Sequence, residues 1–387
     1  MNPRLAWLMP ALPALAAAAL MLSGRRQPAR GAWLACGATG ASLVLSCLVL
    51  ARVLPRPGRV VETSQVIATA GPVTVTVGTR VGGLAAVVAV MVCVVAFLVQ
   101  VYSVGYMRAD PRYPSYAGYV SLFTAAMLIV VLAADLLELL VGWEVMGFCS
   151  YALIGHHWEE RTASDAAIKA FLTTRFGDLF FTVGLFVLGI GAGTFRVSGV
   201  LAAVGEGRLS HGELTAAGLL LLGGVAGKSA QFPLQTWLPD AMAGPTPISA
   251  LIHAATMVAA GVYVVALLYP VVVASAVTVD VLALVAAVTM LFGALAACAH
   301  DDIKKVLAWS TVSQLAYMTG GLAVGGWAAG LFHLLTHAAF KALLFLGAGA
   351  VIHAVGTNSM HAMGGLRRPL PLTFACTTVG LAALVGL

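Results

Sequence analysis

The sequence predicts an all-α polytopic membrane protein, and three observations carry this prediction. The 387 residues are 60% apolar and only 9% charged, whereas soluble proteins carry about 25% charged residues. The mean hydropathy is +0.97. Apolar runs long enough to cross a bilayer, about 20 residues each, follow one another along the chain. Because a backbone inside lipid must satisfy its own polar groups, we expect these runs to be helices.

About twelve transmembrane helices are predicted, the last one incomplete. They cover roughly 5–22, 31–54, 81–107, 116–135, 136–155, 164–192, 213–240, 247–269, 276–299, 302–322, 326–355 and 370 to the end. The first run contains Pro10 and Pro13, and only Arg4 precedes it as a basic residue. We therefore expect a retained span and not a cleaved signal peptide.

Two connecting segments differ from the spans. Residues 60–80 are β-branched and alternating, with Gly71-Pro72 between the two halves, which predicts a small hairpin outside the bilayer. Residues 193–212 are too polar to span and are expected at the surface. The resulting organisation is N-terminal transmembrane helices in 1–60, the hairpin and third helix in 61–115, and one large membrane domain in 116–387.

Prolines predict that two spans are broken. Pro233 and Pro239 lie in the span 213–240, and Pro245 and Pro247 open the span that follows. Proline removes a backbone donor and clashes with the preceding turn. Transporters use interrupted helices to present backbone groups to ions, although a plain packing kink is the alternative.

The basic residues predict the orientation of the chain and not a nucleic-acid surface. The net charge is +6, but most Lys and Arg side chains flank apolar runs. With the N-terminus outside, inside loops hold ten of them (Arg25, Arg26, Arg30, Arg108, Arg112, Arg161, Lys304, Lys305, Arg367, Arg368) and outside loops hold seven. Inside loops carry the excess of basic residues, so we expect the N-terminus to lie outside.

Ionisable residues inside apolar runs indicate a polar path. Glu144, Lys228 and Lys341 are such residues, and each costs roughly 2.5–3.5 kcal/mol at the bilayer centre. His333, His337 and Lys341 are spaced at i, i+4 and i+8, which places them on one helix face with its ends about 12 Å apart. With intervening water, such a row could carry protons. The alternative is that these groups only bond neighbouring helices.

Charge sign predicts which buried groups pair. Glu144 and Lys228 are the obvious pair, because an unpaired buried charge is costly. This pair would act as a switch or as a static salt bridge. Asp178 has Arg175 three residues before it, which favours a local ion pair on one helix. His253 is the remaining candidate and is alone on its helix.

No motif indicates a metal or redox cofactor. The six cysteines are scattered singly through apolar stretches and form no CxxC, so an iron–sulfur or zinc site is not expected. P-loop, HExxH and GxSxG motifs are absent from the sequence. We therefore expect this chain to bind no cofactor itself.

Five segments resemble a known family. They are WEVMGFCSYALIGHHWEE, AAIKAFLTTRFGD, GKSAQFPLQTWLPDAMAGPTPISALIHAATMVAAGVYVV, HDDIKKVLAWSTVSQLAYM and LFHLLTHAAFKALLFLGAGAVIHA. They are similar to the proton-translocating, antiporter-like membrane subunits of respiratory NADH–quinone oxidoreductase, most closely those of the subunit L group. The resemblance runs from about residue 65 to the end.

The resemblance implies a fold of two inverted five-helix repeats, each with a broken helix. It implies that Glu144 and Lys228 form the family's ion pair and that His253, His333, His337 and Lys341 form its central hydrophilic path. Asp178 matches the family's aspartate. NADH, FMN, iron–sulfur clusters and quinone would belong to the rest of the complex. Its other membrane subunits, especially a neighbouring antiporter-like one, would be the partners.

The chain departs from that pattern at its C-terminus. It stops at LAALVGL within the twelfth apolar run, and residues 369–387 contain no Lys, Arg, Asp or Glu. We therefore expect the antiporter-like domain to be incomplete here and to lack a proton exit. Three alternatives to a subunit of the NADH–quinone oxidoreductase type remain. They are the A-type subunit of a multisubunit sodium/proton antiporter, a membrane subunit of a related hydrogenase or carbon-uptake complex, and a membrane scaffold without transport.

Overall fold

The computed structural model describes residues 3–23, 28–56, 58–70 and 73–387. Within these residues the chain forms α-helices and one two-stranded sheet, which confirms the predicted helical membrane fold. The predicted Gly71-Pro72 turn and the basic residues Arg25 and Arg26 lie outside the described residues.

The helices follow the apolar runs closely. They are α1 (Leu8–Ser23), α2 (Pro28–Val53), α3 (Gly83–Tyr106), α4 (Tyr113–Leu132), α5 (Leu136–Ile154), α6 (Arg161–Ala192), α7 (Val197–Gly205), α8 (His211–Lys228), α9 (Trp237–Asp240), α10 (Thr246–Ala254), α11 (Met257–Leu267), α12 (Tyr269–Val273), α13 (Ala276–Cys298), α14 (Ile303–Ala323), α15 (Trp327–Val355) and α16 (Pro371–Val385). Short 3₁₀ turns lie at Pro3–Trp7, Ala241–Ala243 and Met360–Ala362.

Nine segments in the described part of the chain are long and apolar enough to cross a membrane by themselves. The other three predicted spans correspond to α8, α14 and α16. Of these, α8 has 18 residues and ends at a charged residue, α14 has two lysines in its first turn, and α16 has 15 residues. The segment formed by α10 and α11 is buried along its whole length. It is therefore the central element around which the other helices pack.

The predicted hairpin is present between α2 and α3. Strands β1 (Val61–Ala70) and β2 (Val73–Val81) are antiparallel, with a register shift between Val66 and Ala68. Two buried carboxylates at the start of α5 hold it in place. Asp135 accepts from the Thr76 hydroxyl at 2.8 Å, and Glu138 accepts from the Gly78 backbone N–H at 3.1 Å. The hairpin is thereby fixed to the same helix that carries Glu144.

Both predicted breaks exist, but neither lies at its prolines. Helix α8 ends at Lys228, five residues before Pro233, and Ala230 follows with a positive φ of 48°. In the second span, Pro247 occupies the first turn of α10, a position where its missing N–H costs nothing. That helix is interrupted later, at Thr256 (φ −123°, ψ −97°), whose hydroxyl donates to Leu251 O at 2.6 Å.

The segment 193–212 is not a span, as predicted. It contains the short helix α7, which buries Val197, Val200 and Ala203. Arg196 precedes this helix and donates to Glu62 of the hairpin at 2.6 Å. The connection therefore packs on the hairpin side of the molecule.

Candidate functional site: two buried polar clusters

The first cluster joins α5, α6 and α8 around Asp178. Lys228 is the last residue of α8, and its Nζ lies 3.1 Å from Asp178 Oδ2. The other carboxylate oxygen accepts from Trp143 Nε1 at 2.6 Å. All three side chains are buried. Asp178 thus has a cation on one oxygen and a neutral donor on the other, which is the pairing that a buried carboxylate requires.

Glycines permit this arrangement. A Cβ placed on Gly177 would lie 3.0 Å from Gly227 Cα, so α6 and α8 contact each other through their backbones beside Asp178 and Lys228. A Cβ on Gly147 would lie 2.6 Å from Lys228 Nζ. The missing side chain therefore leaves the space on α5 that the ammonium group occupies. Short helix-to-helix approach at small residues is typical of membrane proteins.

The predicted Glu144–Lys228 contact is not formed, and this corrects the sequence-based pairing. The Glu144 carboxylate instead contacts the Arg175 guanidinium, with 27% and 35% of the two side chains exposed. Trp143 and Glu144 are adjacent on α5 and so point about 100° apart around the helix. Trp143 faces Asp178 in the interior. Glu144 faces the partly exposed edge of the helix bundle, called the rim below, where Arg175 lies.

The same geometry overturns the predicted local pair of Arg175 and Asp178. The three-residue spacing on α6 favours that pair, but the two side chains contact different neighbouring helices. Asp178 faces α8, and Arg175 contacts α5. The two ion pairs are therefore Glu144–Arg175 and Asp178–Lys228, and both connect separate helices.

The second cluster lies on α15. His333, His337 and Lys341 fall along one side of this helix, and the first two rings are 6.2 Å apart between centroids. His337 and Lys341 are fully buried. His333 is partly exposed and lines an open groove of about 870 Å³ between α14, α15 and α16. The row therefore leads from the interior toward this groove.

Helix α14 supplies the partners of this row, which sequence reasoning missed. Lys341 Nζ lies 2.9 Å from Ser310 Oγ and 3.4 Å from Leu307 O. His333 Nε2 lies 2.7 Å from Gln314 Oε1. Ser310 and Gln314 are spaced i and i+4 on an apolar helix, so they share one face. That spacing is the signal that could have identified them.

His253 lies between the two clusters. It is buried on α10, just before the break at Thr256. Its ring packs between Trp237 and Phe345, at centroid distances of 6.3 Å and 5.8 Å. Trp237 Nε1 donates to Gly227 O, next to Lys228. Phe345 lies one turn beyond Lys341 on α15.

The connection through His253 is not a continuous hydrogen-bonded chain. Within the described residues, none of the ring nitrogens of His253 and His337 has a hydrogen-bond partner. Buried imidazoles without partners are uncommon, and ordered water is the usual explanation. A third buried lysine, Lys304, donates to Gly244 O at 2.7 Å at the start of α14. The pattern of basic residues alone places Lys304 only in an inside loop.

Comparison with known proteins gives the family. A family model described as the transmembrane part of NADH:quinone oxidoreductase/Mrp antiporter subunits matches residues 133–387. A second model, the N-terminus of chain 5 of NADH–ubiquinone oxidoreductase (complex I), matches residues 67–117. This chain belongs to the NADH:quinone oxidoreductase/Mrp antiporter family of membrane subunits.

Curated relatives and a solved structure agree with this assignment. NADH-quinone oxidoreductase subunit L of Mycobacterium tuberculosis is 45% identical over 386 residues, covering 98% of this chain and 61% of the relative. F(420)H(2) dehydrogenase subunit L of Methanosarcina mazei is 43% identical, covering 98% and 60%. The Mrp complex from a Dietzia species has a TM-score of 0.84 at 28% identity, covering 97% of this chain and 42% of that chain.

The antiporter-like fold predicted from the sequence is confirmed. The chain is a multi-pass membrane protein of a family whose named relatives are subunits of larger complexes. It spans about three-fifths of the length of the curated relatives that it matches.

Proposed function

We propose that this chain is a proton-translocating membrane subunit of a redox-driven, quinone-reducing respiratory complex in a bacterial plasma membrane. Four buried ionisable side chains, Lys228, His253, His337 and Lys341, carry this proposal. Helices that only needed to fill a bilayer would not retain such groups, because each one is costly there. In this proposal, these side chains on α8, α10 and α15 together form the proton path across the interior.

In this proposal the two ion pairs couple the rim of the subunit to its centre. Glu144 lies one helical turn from Gly147, and Gly147 is where the Lys228 ammonium touches α5. A change in the charge or position of the Glu144–Arg175 pair therefore alters the electrostatic field at Lys228 at short range. When the attraction of Asp178 for Lys228 changes, the lysine releases or accepts a proton toward His253 and the α15 row, through water.

The redox chemistry is assigned to other subunits. The chain acts as part of a translocase and binds no NADH, FMN, iron–sulfur cluster or quinone in this proposal. Its partners are the other membrane subunits, including a neighbouring antiporter-like one, together with lipid and protons. The alternative, the A-type subunit of a sodium/proton antiporter, is less well supported. The Mrp structure is 28% identical to this chain, whereas the tuberculosis subunit L is 45% identical.

The Lys341→Ala variant tests the proposal in the assembled complex in membrane vesicles. We expect proton uptake per electron transferred to fall roughly tenfold or more, because the buried relay group at the α14–α15 contact is lost. Lys169→Ala is the matched control, since Lys169 is a half-exposed lysine paired with Asp240. Unchanged proton uptake in Lys341→Ala, with the complex intact, would refute the proposed path.

A further inference from the structure

A polar cluster outside the proposed proton path joins two loops on one side of the protein. Asp110 lies between α3 and α4, and His156 and His157 follow the end of α5. His156 Nε2 is 2.9 Å from Asp110 Oδ2, and His157 Nε2 is 3.3 Å from the same oxygen. Two imidazole nitrogens therefore converge on one carboxylate oxygen, and all three atoms lie within 4.8 Å of one another.

Neighbouring groups fix the direction of these side chains. The other oxygen of Asp110 accepts from the Arg112 backbone N–H at 2.7 Å, which leaves Oδ2 pointing at the histidines. The buried His156 ring meets Tyr116 edge to face, with centroids 5.6 Å apart. His157 is 37% exposed, so one side of the cluster is open to solvent.

A second set of contacts holds the two loops together. Arg112 donates to both carboxylate oxygens of Glu159 at 2.9 Å. Its guanidinium also lies 4.4 Å from the centre of the Trp158 ring. These contacts join the α3–α4 loop to the α5–α6 loop independently of the cluster. The three converging atoms therefore lie on two loops that other contacts already hold together, as a ligand site requires.

We propose that Asp110, His156 and His157 form a binding site for a divalent transition-metal ion of the zinc class, with solvent as the fourth ligand. Imidazole nitrogen with one carboxylate oxygen is a donor set that such ions take at about 2.0–2.2 Å. Magnesium and calcium prefer oxygen ligands alone and fit this set poorly. The site lies outside the proton path, so the proposal goes beyond the proposed function.

The geometry needs only a small adjustment to hold the ion. Ligand atoms around a tetrahedral zinc ion are about 3.3 Å apart at these bond lengths. Both nitrogen-to-oxygen separations, 2.9 and 3.3 Å, already lie near that value. Only the two imidazoles need to approach each other, and the exposed side of His157 leaves room for that shift. Bound metal would fasten the end of α5, the helix of Glu144, to the loop that precedes α4.

Cobalt(II) titration of the purified chain in detergent, without a polyhistidine tag, tests the site. We expect one equivalent of Co²⁺ to give visible absorption bands of a four-coordinate nitrogen–oxygen site, and Zn²⁺ to abolish them. His157→Gln should weaken Co²⁺ binding roughly tenfold or more. His156→Gln and Asp110→Asn should do the same.

The chain offers a matched control. His361 and Asp301 form an exposed pair at 3.2 Å, with 78% and 71% of their side chains accessible. This pair has one histidine and one carboxylate, so His361→Gln should leave Co²⁺ affinity unchanged. Circular dichroism identifies any variant that fails to fold, and His157→Gln decides in that case because its ring is the most exposed of the three. Absence of stoichiometric binding, or equal loss in His361→Gln, overturns the proposal.

Discussion

Replacing Asp178 by asparagine removes the only carboxylate that bonds to Lys228 within the described residues. The Nζ-to-oxygen distance is 3.1 Å, and at an effective dielectric constant of about 20 this corresponds to about 5 kcal/mol of attraction. Losing one partner of a buried ion pair typically costs about 3–5 kcal/mol, which agrees with that figure. Asparagine has only one acceptor oxygen, so its NH2 group would face the donor of either Trp143 or Lys228. We expect the ammonium form of Lys228 to become unfavourable.

The assay is proton uptake by inverted vesicles that carry the assembled complex, measured against its electron transfer. Because about 1.4 kcal/mol is one factor of ten, we expect Asp178→Asn to reduce coupled uptake at least roughly tenfold. Asp165→Asn on the same helix is the control. Its pair with Arg161 is 3.6 Å long, with side chains that are 68% and 93% exposed, and such pairs contribute little. Uptake within about twofold of the wild type in Asp178→Asn, matching the control, would refute the switch assigned to this pair.

Two further substitutions test the rim pair and the α14–α15 contact. Glu144→Gln should leave its guanidinium partner on α6 without a compensating charge. We expect coupled proton uptake to fall less than it does in Asp178→Asn, because the Glu144–Arg175 pair is partly exposed. An equal or larger loss in the same vesicle assay would contradict this order. Ser310→Ala removes a hydrogen bond of 2.9 Å to Lys341, a contact worth about 1.5–3 kcal/mol when one partner is charged. We expect a lower thermal midpoint of the purified chain and slower proton uptake, and an unchanged midpoint with unchanged uptake would show that the hydroxyl does not support the lysine.

The membrane class, the positions of the spans and the identity of most buried ionisable residues could be read from local sequence patterns. Hydropathy is a local property, so runs such as Leu136–Ile154 are visible without any knowledge of their neighbours. The hairpin was also predictable, because alternation and β-branching are local patterns. His333, His337 and Lys341 could be placed on one face because the period of a single helix fixes their directions.

Which charges meet depends on how the helices pack. Glu144 and Lys228 match in sign, yet the rotation of α5 about its axis gives Trp143 the interior position and leaves Glu144 at the rim with Arg175. The close contact at Gly177 then sets Asp178 against Lys228. Helix rotation and approach depend on every neighbouring side chain, and no local pattern in the sequence records them.

The same distinction explains the breaks and the loop cluster. Prolines mark where a helix can begin or end, but Thr256 and Ala230, and not the prolines, mark the interruptions of the two spans. Sequence spacing predicted no metal site because the cysteines are scattered. Asp110 and the two histidines are 46 and 47 residues apart in the chain. They meet only because antiparallel packing of the intervening helices returns both loops to the same side of the membrane domain.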